Sequence, residues 1–184
     1  SYTLELTLRE LPLPIFAETR VEALLELETP EEALRVVDAF TRDHSPTSRL
    51  TRLQARAENA LGRAAAAERT LLAGCYQFRD LWLWRDLAAV RWGRDDPAGA
   101  ARALAVSQRL LSSIDDATRE TLRPRLHAGR AAALHKSKDL DSAAREAVAA
   151  KRWIDRYRLP EDPHLNETLA NLAAEAPRAL ALAE

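Results

Sequence analysis

Four alanines, Ala33, Ala67, Ala100 and Ala143, recur at intervals of 34, 33 and 43 residues. Each falls in the opening turn of a predicted helix, just after a short polar turn. A period near 34 residues in an Ala- and Leu-rich chain specifies stacked helix pairs, each burying its apolar face against the next. Only five glycines occur in 184 residues, which suits close-packed helices and argues against a strand-rich fold. The expected fold is therefore all-α.

The pairs can be followed along the chain. Residues 15–27 place Ala17, Val21, Leu24 and Leu25 on one helical stripe. Thr29-Pro30-Glu31-Glu32 then reads as a helix start, with Thr29 as N-cap, Pro30 first in the helix and acids at the positive dipole end. Ala33, Val36, Val37 and Phe40 form the apolar face that follows. Ser45 or Thr47 can cap the second pair, expected over 47–60 and 64–78 with Gly62 at its turn. Cys75 lies on the apolar stripe of that pair and reads as a small buried hydrophobe.

The third pair opens with residues 81–92, apolar on nearly every side, which predicts a helix enclosed by its neighbours. Asp96 caps its second helix and Pro97 begins it. Residues 112–122 are the extra length in the long interval, where Asp115 or Asp116 can cap a short turn. The fourth pair is expected over 124–136 and 140–156. A helix over 163–176 should cover the apolar end of the stack, with a frayed tail beyond Pro177.

Ahead of the helices, Leu4, Leu6 and Leu8 alternate with Glu5 and Thr7, the period of a half-buried strand, ended by Pro12 and Pro14. A lone strand needs backbone partners. It can pair with a second copy to give a homodimer, close an upstream domain, or serve as an arm. The expected division is an N-terminal arm over 1–13 and a helical repeat domain over 14–184. The chain contains no Met, even at position 1, as for a processed chain or part of a longer one.

Charge is distributed unevenly. Residues 1–41 carry 3 basic and 9 acidic side chains, a net of −6; residues 42–158 carry 23 and 14, a net of +9; residues 159–184 carry 1 and 5, a net of −4. Either the basic middle meets a charged partner, or the acidic ends pack near it and neutralise it. A single cysteine excludes an intrachain disulfide. No apolar run approaches the roughly 18 residues of a membrane span, and no signal peptide is visible, so the chain is expected in the cytoplasm. The 24 Arg against 3 Lys fit a GC-rich bacterial genome.

These features resemble the tetratricopeptide repeat family over residues 14–157. That motif asks for a bulky residue, then Leu and a small residue in its first helix. A small polar turn follows, then Ala in the first turn of the second helix and a small residue further along. The third pair matches with Trp84, Leu87, Ala88, Asp95-Asp96, Ala100 and Ser107. The fourth gives Ala131, Lys138-Asp139, Ala143 and Ala150; the second, Ala55, Gly62, Ala67 and Gly74; the first, Val21, Ala33 and Phe40. The resemblance implies a right-handed solenoid of about four repeats with a C-terminal capping helix. Divergent repeats of this kind are similar to those of bacterial regulatory and signalling proteins.

In that family the first helices of the pairs line a concave groove. Carried over, the first pair contributes Ile15, Glu18, Glu22, Leu25 and Glu26, and the second Arg49, Arg52, Arg56 and Asn59. The third contributes Trp82, Arg85, Ala89 and Trp92, and the fourth Arg125, Ala128, Ala132, His135 and Lys136. The resemblance thus implies a basic trough with two indoles and an acidic rim, suited to an acidic peptide or protein partner. Against this, Arg49, Arg52 and Arg56 also read as a solvated stripe, and Trp82, Trp84 and Trp92 as core. The alternative function is nucleic-acid or phospholigand binding through the basic middle.

No catalytic constellation is present. The chain lacks a phosphate-cradling Gly loop, HExxH and a nucleophile elbow. His44, His127, His135 and His164 have no carboxylate or Cys at metal-binding spacing; His127 and His135, eight apart, supply too few ligands. No enzyme activity, metal or cofactor is expected.

Overall fold

The computed structural model describes residues 14–184. The expected strand over 3–8, and the homodimer contact assigned to it, lie outside the described residues. Among those residues the chain is all-helical: ten α-helices and one short 3-10 turn. It divides between Phe78 and Arg79 into two compact units.

The first unit contains α1 (Pro14–Glu26), α2 (Pro30–Thr41), α3 (Ser48–Ala60) and α4 (Ala64–Gln77). Helix α2 packs on α1, α4 packs on α3, and α3 also rests on both α1 and α2. Val21, Ala33, Val37, Phe40, Leu50, Leu53 and Ala57 form one buried cluster, flanked by Ala17, Leu24 and Leu25. The expected stripes of the first three helices therefore meet. Cys75 is buried, as expected for a small hydrophobe.

The second unit contains α5 (Leu81–Gly93), α6 (Pro97–Arg109), the 3-10 turn (Leu110–Ser113), α7 (Asp116–Lys136), α8 (Leu140–Tyr157), α9 (Pro163–Glu175) and α10 (Pro177–Ala183). Helices α5 and α6 pack as a pair, as do α7 and α8. Helix α7 also packs on α6, α9 on α7 and α8, and α10 on α8 and α9. Sequential pairing of this kind is consistent with a helical repeat.

Ala33, Ala67 and Ala143 are 0% exposed and Ala100 is 1% exposed, each as the fourth residue of the second helix in its pair. The turns before them share one construction. Glu28, Gly62, Asp95 and Lys138 have φ of 57°, 72°, 61° and 66°, the left-handed region. The next residue donates its N–H to the carbonyl five back: Thr29 to Leu24, Arg63 to Glu58 and Asp96 to Arg91 at 2.9 Å, and Asp139 to Leu134 at 3.0 Å. This is the closing bond of a Schellman motif. The carbonyls of Thr29, Arg63, Asp96 and Asp139 then accept from the N–H of the four alanines at 3.0–3.1 Å. One residue thereby ends the first helix and starts the second. The period is thus a backbone period as well as a packing period, although only Gly62 is the residue type that enters this region without steric cost.

Several expectations are corrected. Thr29 does not cap α2 with its side chain; its hydroxyl donates to the Leu24 carbonyl at 2.9 Å. Of the two caps expected for α3, Thr47 is the one used, accepting from Leu50 N–H at 3.0 Å. The fourth pair does not start at Pro124. Helix α7 begins eight residues earlier, with Asp115 as its cap, and Pro124 lies buried inside it. Residues 116–122, part of the extra length, thus extend a long helix instead of forming a separate short turn. Proline lacks the N–H for one internal bond, but the long amphipathic helix is held by its packing on α6, α8 and α9. Helix α5 is not enclosed on every side: Leu81, Leu83 and Leu87 are buried, Trp82 and Trp84 partly so, and Trp92 is 43% exposed. The tail is a helix, α10, and Arg152 on α8 donates to the Ala183 carbonyl at its end and to the Glu184 backbone oxygen just beyond it.

Candidate partner-binding cleft

In the second unit, α5, α6, α7 and α9 enclose an open cleft of about 840 Å³. Its floor is built from small side chains, among them Ala88, Ala128, Gly129 and Ala132. Small residues keep the wall low and let a ligand approach the helix backbones. The Trp92 indole stands at its edge, with the Lys136 ammonium 4.9 Å from the ring centroid. Arg85, Trp92, Arg125, His135 and Lys136, assigned to the groove from sequence, all line this cleft. Trp82 does not; it lies near the start of α5 with the Arg85 guanidinium 4.7 Å from its ring.

The cleft is less basic than the carried-over positions imply. Arg85, Arg125, Lys136 and Lys138 line it, but so do Asp86, Asp162 and Glu167, the last on α9 and Asp162 at its cap. Most of these cations also have a carboxylate partner. Arg85 pairs with Asp86 at 2.8 Å, Lys136 with Asp95 at 2.6 Å, and Lys138 with Glu175 at 3.0 Å. The ammonium groups of Lys136 and Lys138 hold the Asp95 and Glu175 carboxyls below the usual carboxylate range. The His135 Nε2 is enclosed, lies 3.4 Å from Glu175 Oε1 and makes no hydrogen bond among the described residues. Arg125 is exposed, and its guanidinium has no hydrogen bond or ion pair among the described residues.

The groove positions carried over to the first two pairs lie in the first unit, those of the first pair on α1 and those of the second on α3. Arg49 is tied down: its Nη2 donates to Glu22 Oε2 at 2.5 Å, and its Nε lies 3.9 Å from Glu18 Oε2. Glu18 is 8% exposed and accepts from the Thr47 hydroxyl. The acidic rim therefore neutralises a basic neighbour at this point. Arg52 is half-buried, and Arg56 and Asn59 are exposed.

A second polar cluster escaped the sequence reading. Glu146 on α8 accepts from Gln108 Nε2 of α6 at 2.9 Å and from Arg130 Nη1 of α7 at 2.6 Å, with His127 Nδ1 at 2.6 Å. Burial pushes the Glu146 carboxyl up, but the bonds from His127 and Gln108 and the charges of His127 and Arg130 outweigh it and hold it below the usual range. His127 thus has a carboxylate partner, 19 residues away in sequence and with no local motif to announce it.

Among the described residues, no three His, Cys, Asp or Glu side chains converge to hold a metal, and no helix is long and apolar enough to cross a membrane. Comparison with known protein families, characterised proteins and solved structures finds no match to this chain.

Proposed function

We infer that the chain is a protein-interaction scaffold of divergent tetratricopeptide-repeat type, part of a bacterial regulatory or signalling system, and that it holds a peptide or partner segment in the cleft of the second unit. The periodic buried alanines and the shared left-handed turns support the repeat assignment. The observation that carries the binding reading is Trp92: a large indole left 43% exposed at the edge of an open cleft floored by alanines. Indoles are enriched among residues that dominate binding energy. Arg125 at the same cleft, without an ion pair among the described residues, favours an acidic residue or chain terminus in the partner, because guanidinium pairs bidentately with carboxylate.

The test is a titration with acidic peptides, selected from an immobilised peptide library, together with thermal melts on the same samples. Trp92→Ala should weaken binding by roughly 2 kcal/mol or more. Its melting temperature should stay close to wild type, because the indole is far from fully buried. Arg125→Glu should abolish the preference for acidic over neutral peptides. A stability loss of about 3–5 kcal/mol in Trp92→Ala with unchanged affinity would make the indole packing rather than a contact.

A further inference from the structure

We propose that the second unit carries a separate anion site, formed by α6, the 3-10 turn and α7, that takes a diphosphate group. A depression of about 440 Å³ lies there, sharing no lining residue with the cleft. Arg109, Arg123 and Arg130 line it together with His127 and Gln108, and among the described residues no carboxylate does. This is the charge imbalance that the cleft lacks.

The cations are not spent on one another's neighbours. Glu146, which does not line the depression, is shared by Arg130, His127 and Gln108, so its single negative charge offsets at most one of the three guanidiniums. Arg130 Nε is enclosed and has no hydrogen-bond acceptor among the described residues. The Arg123 guanidinium carbon lies 4.4 Å from the Trp153 ring centroid, and its N–H groups make no hydrogen bond or ion pair among the described residues. The Trp153 ring is itself stacked on Tyr157 at 5.1 Å. The Arg109 guanidinium makes no hydrogen bond or ion pair among the described residues. The C-terminal end of α6 brings about half a negative charge to the same place, which three guanidiniums outweigh.

The donor set decides the class of anion. Guanidinium forks match the oxygens of phosphate in pairs, and Arg130 is already oriented by its bonds to Glu146 and to Gln108 Oε1 at 3.0 Å. Three such groups around one depression exceed what a lone carboxylate can satisfy, whereas a diphosphate carries enough charge and oxygens to meet all three. Inorganic pyrophosphate and the diphosphate of a nucleotide share this chemistry.

The experiment is calorimetric titration of the full chain with inorganic pyrophosphate, a nucleoside diphosphate, the bare nucleoside and a single-stranded oligonucleotide. Pyrophosphate and the nucleoside diphosphate should bind and the bare nucleoside should not. Tighter binding of the nucleotide would identify it as the source; equal binding would identify the diphosphate alone. Arg109→Glu should weaken both by about ten-fold or more, since a charge-assisted contact is replaced by repulsion. Arg123→Gln, which removes a charge without introducing one, should weaken them less. Arg102→Glu, exposed on α6 and outside the depression, should leave both unchanged. No heat of binding up to about 10 mM pyrophosphate would overturn the proposal. So would equal losses in Arg102→Glu and Arg109→Glu, or oligonucleotide binding without pyrophosphate binding, which would mean a diffuse nucleic-acid surface.

Discussion

Replacing Ala143 by Leu tests whether the alanine period reflects close helix packing. Ala143 is 0% exposed in the first turn of α8, whose main packing partner is α7. Leucine adds three carbon atoms where no surface is left to receive them. Overpacking of this kind costs about 1–3 kcal/mol. For a chain of this size each kcal/mol lowers the melting temperature by roughly 2–4 °C, so a drop of about 2–12 °C is expected. Ala143→Gly should also destabilise, by about 1–2 kcal/mol, through lost helix propensity and one lost buried methyl. Ala100→Leu supplies the contrast. Ala100 is as buried as Ala143, but it also borders the cleft, where a longer side chain finds open space. Its loss should be the smaller one. Urea unfolding followed by circular dichroism gives the free energies, with an unchanged slope showing that only stability has moved. A wild-type melting temperature and urea midpoint for Ala143→Leu would refute the reasoning, because the alanine would then have room.

Three further perturbations follow from the turns, the caps and the polar cluster. Glu28 sits at φ 57°, so Glu28→Gly should raise stability by about 0.5–1 kcal/mol, the steric relief less the entropy of a freer unfolded chain; a shift of the urea midpoint to lower concentration would contradict this. Asp96 caps α6 by accepting from Gly99 N–H at 2.8 Å, so Asp96→Ala should cost about 1 kcal/mol in the same assay. Glu146 has a carboxyl pKa lowered on folding, so its contribution is full above the unfolded carboxylate range and is lost as pH falls through the lower folded value. Melting temperatures measured from pH 6 down to pH 3 (about the span of carboxylate titration) should therefore fall less steeply in Glu146→Gln than in wild type, and parallel curves would remove Glu146 from the acid response.

What the sequence determined by itself was local and periodic. Ala33, Ala67, Ala100 and Ala143 disclosed the sequential helix pairs, since a residue that must be small at each close approach recurs in the linear order. The apolar stripe through Val21 and Leu24, and the Pro30 and Pro97 helix starts, were legible because they depend on neighbours three or four residues away. Even so, some short-range features were hidden. Glu28, Asp95 and Lys138 enter the left-handed region without being glycine, and Pro124 sits inside a helix, because packing on neighbouring helices overrides local preference. The candidate sites were decided by tertiary structure. Arg85, Trp92, Arg125, His135 and Lys136 share a cleft, but Asp162 and Glu167 of the α9 segment temper its charge, and Asp95 reaches Lys136 across 41 positions of sequence. Glu146 gathers Gln108, His127 and Arg130 across 38, 19 and 16 positions. Net charge can be counted along a chain, but which charges remain unspent depends on partners that only folding brings within reach.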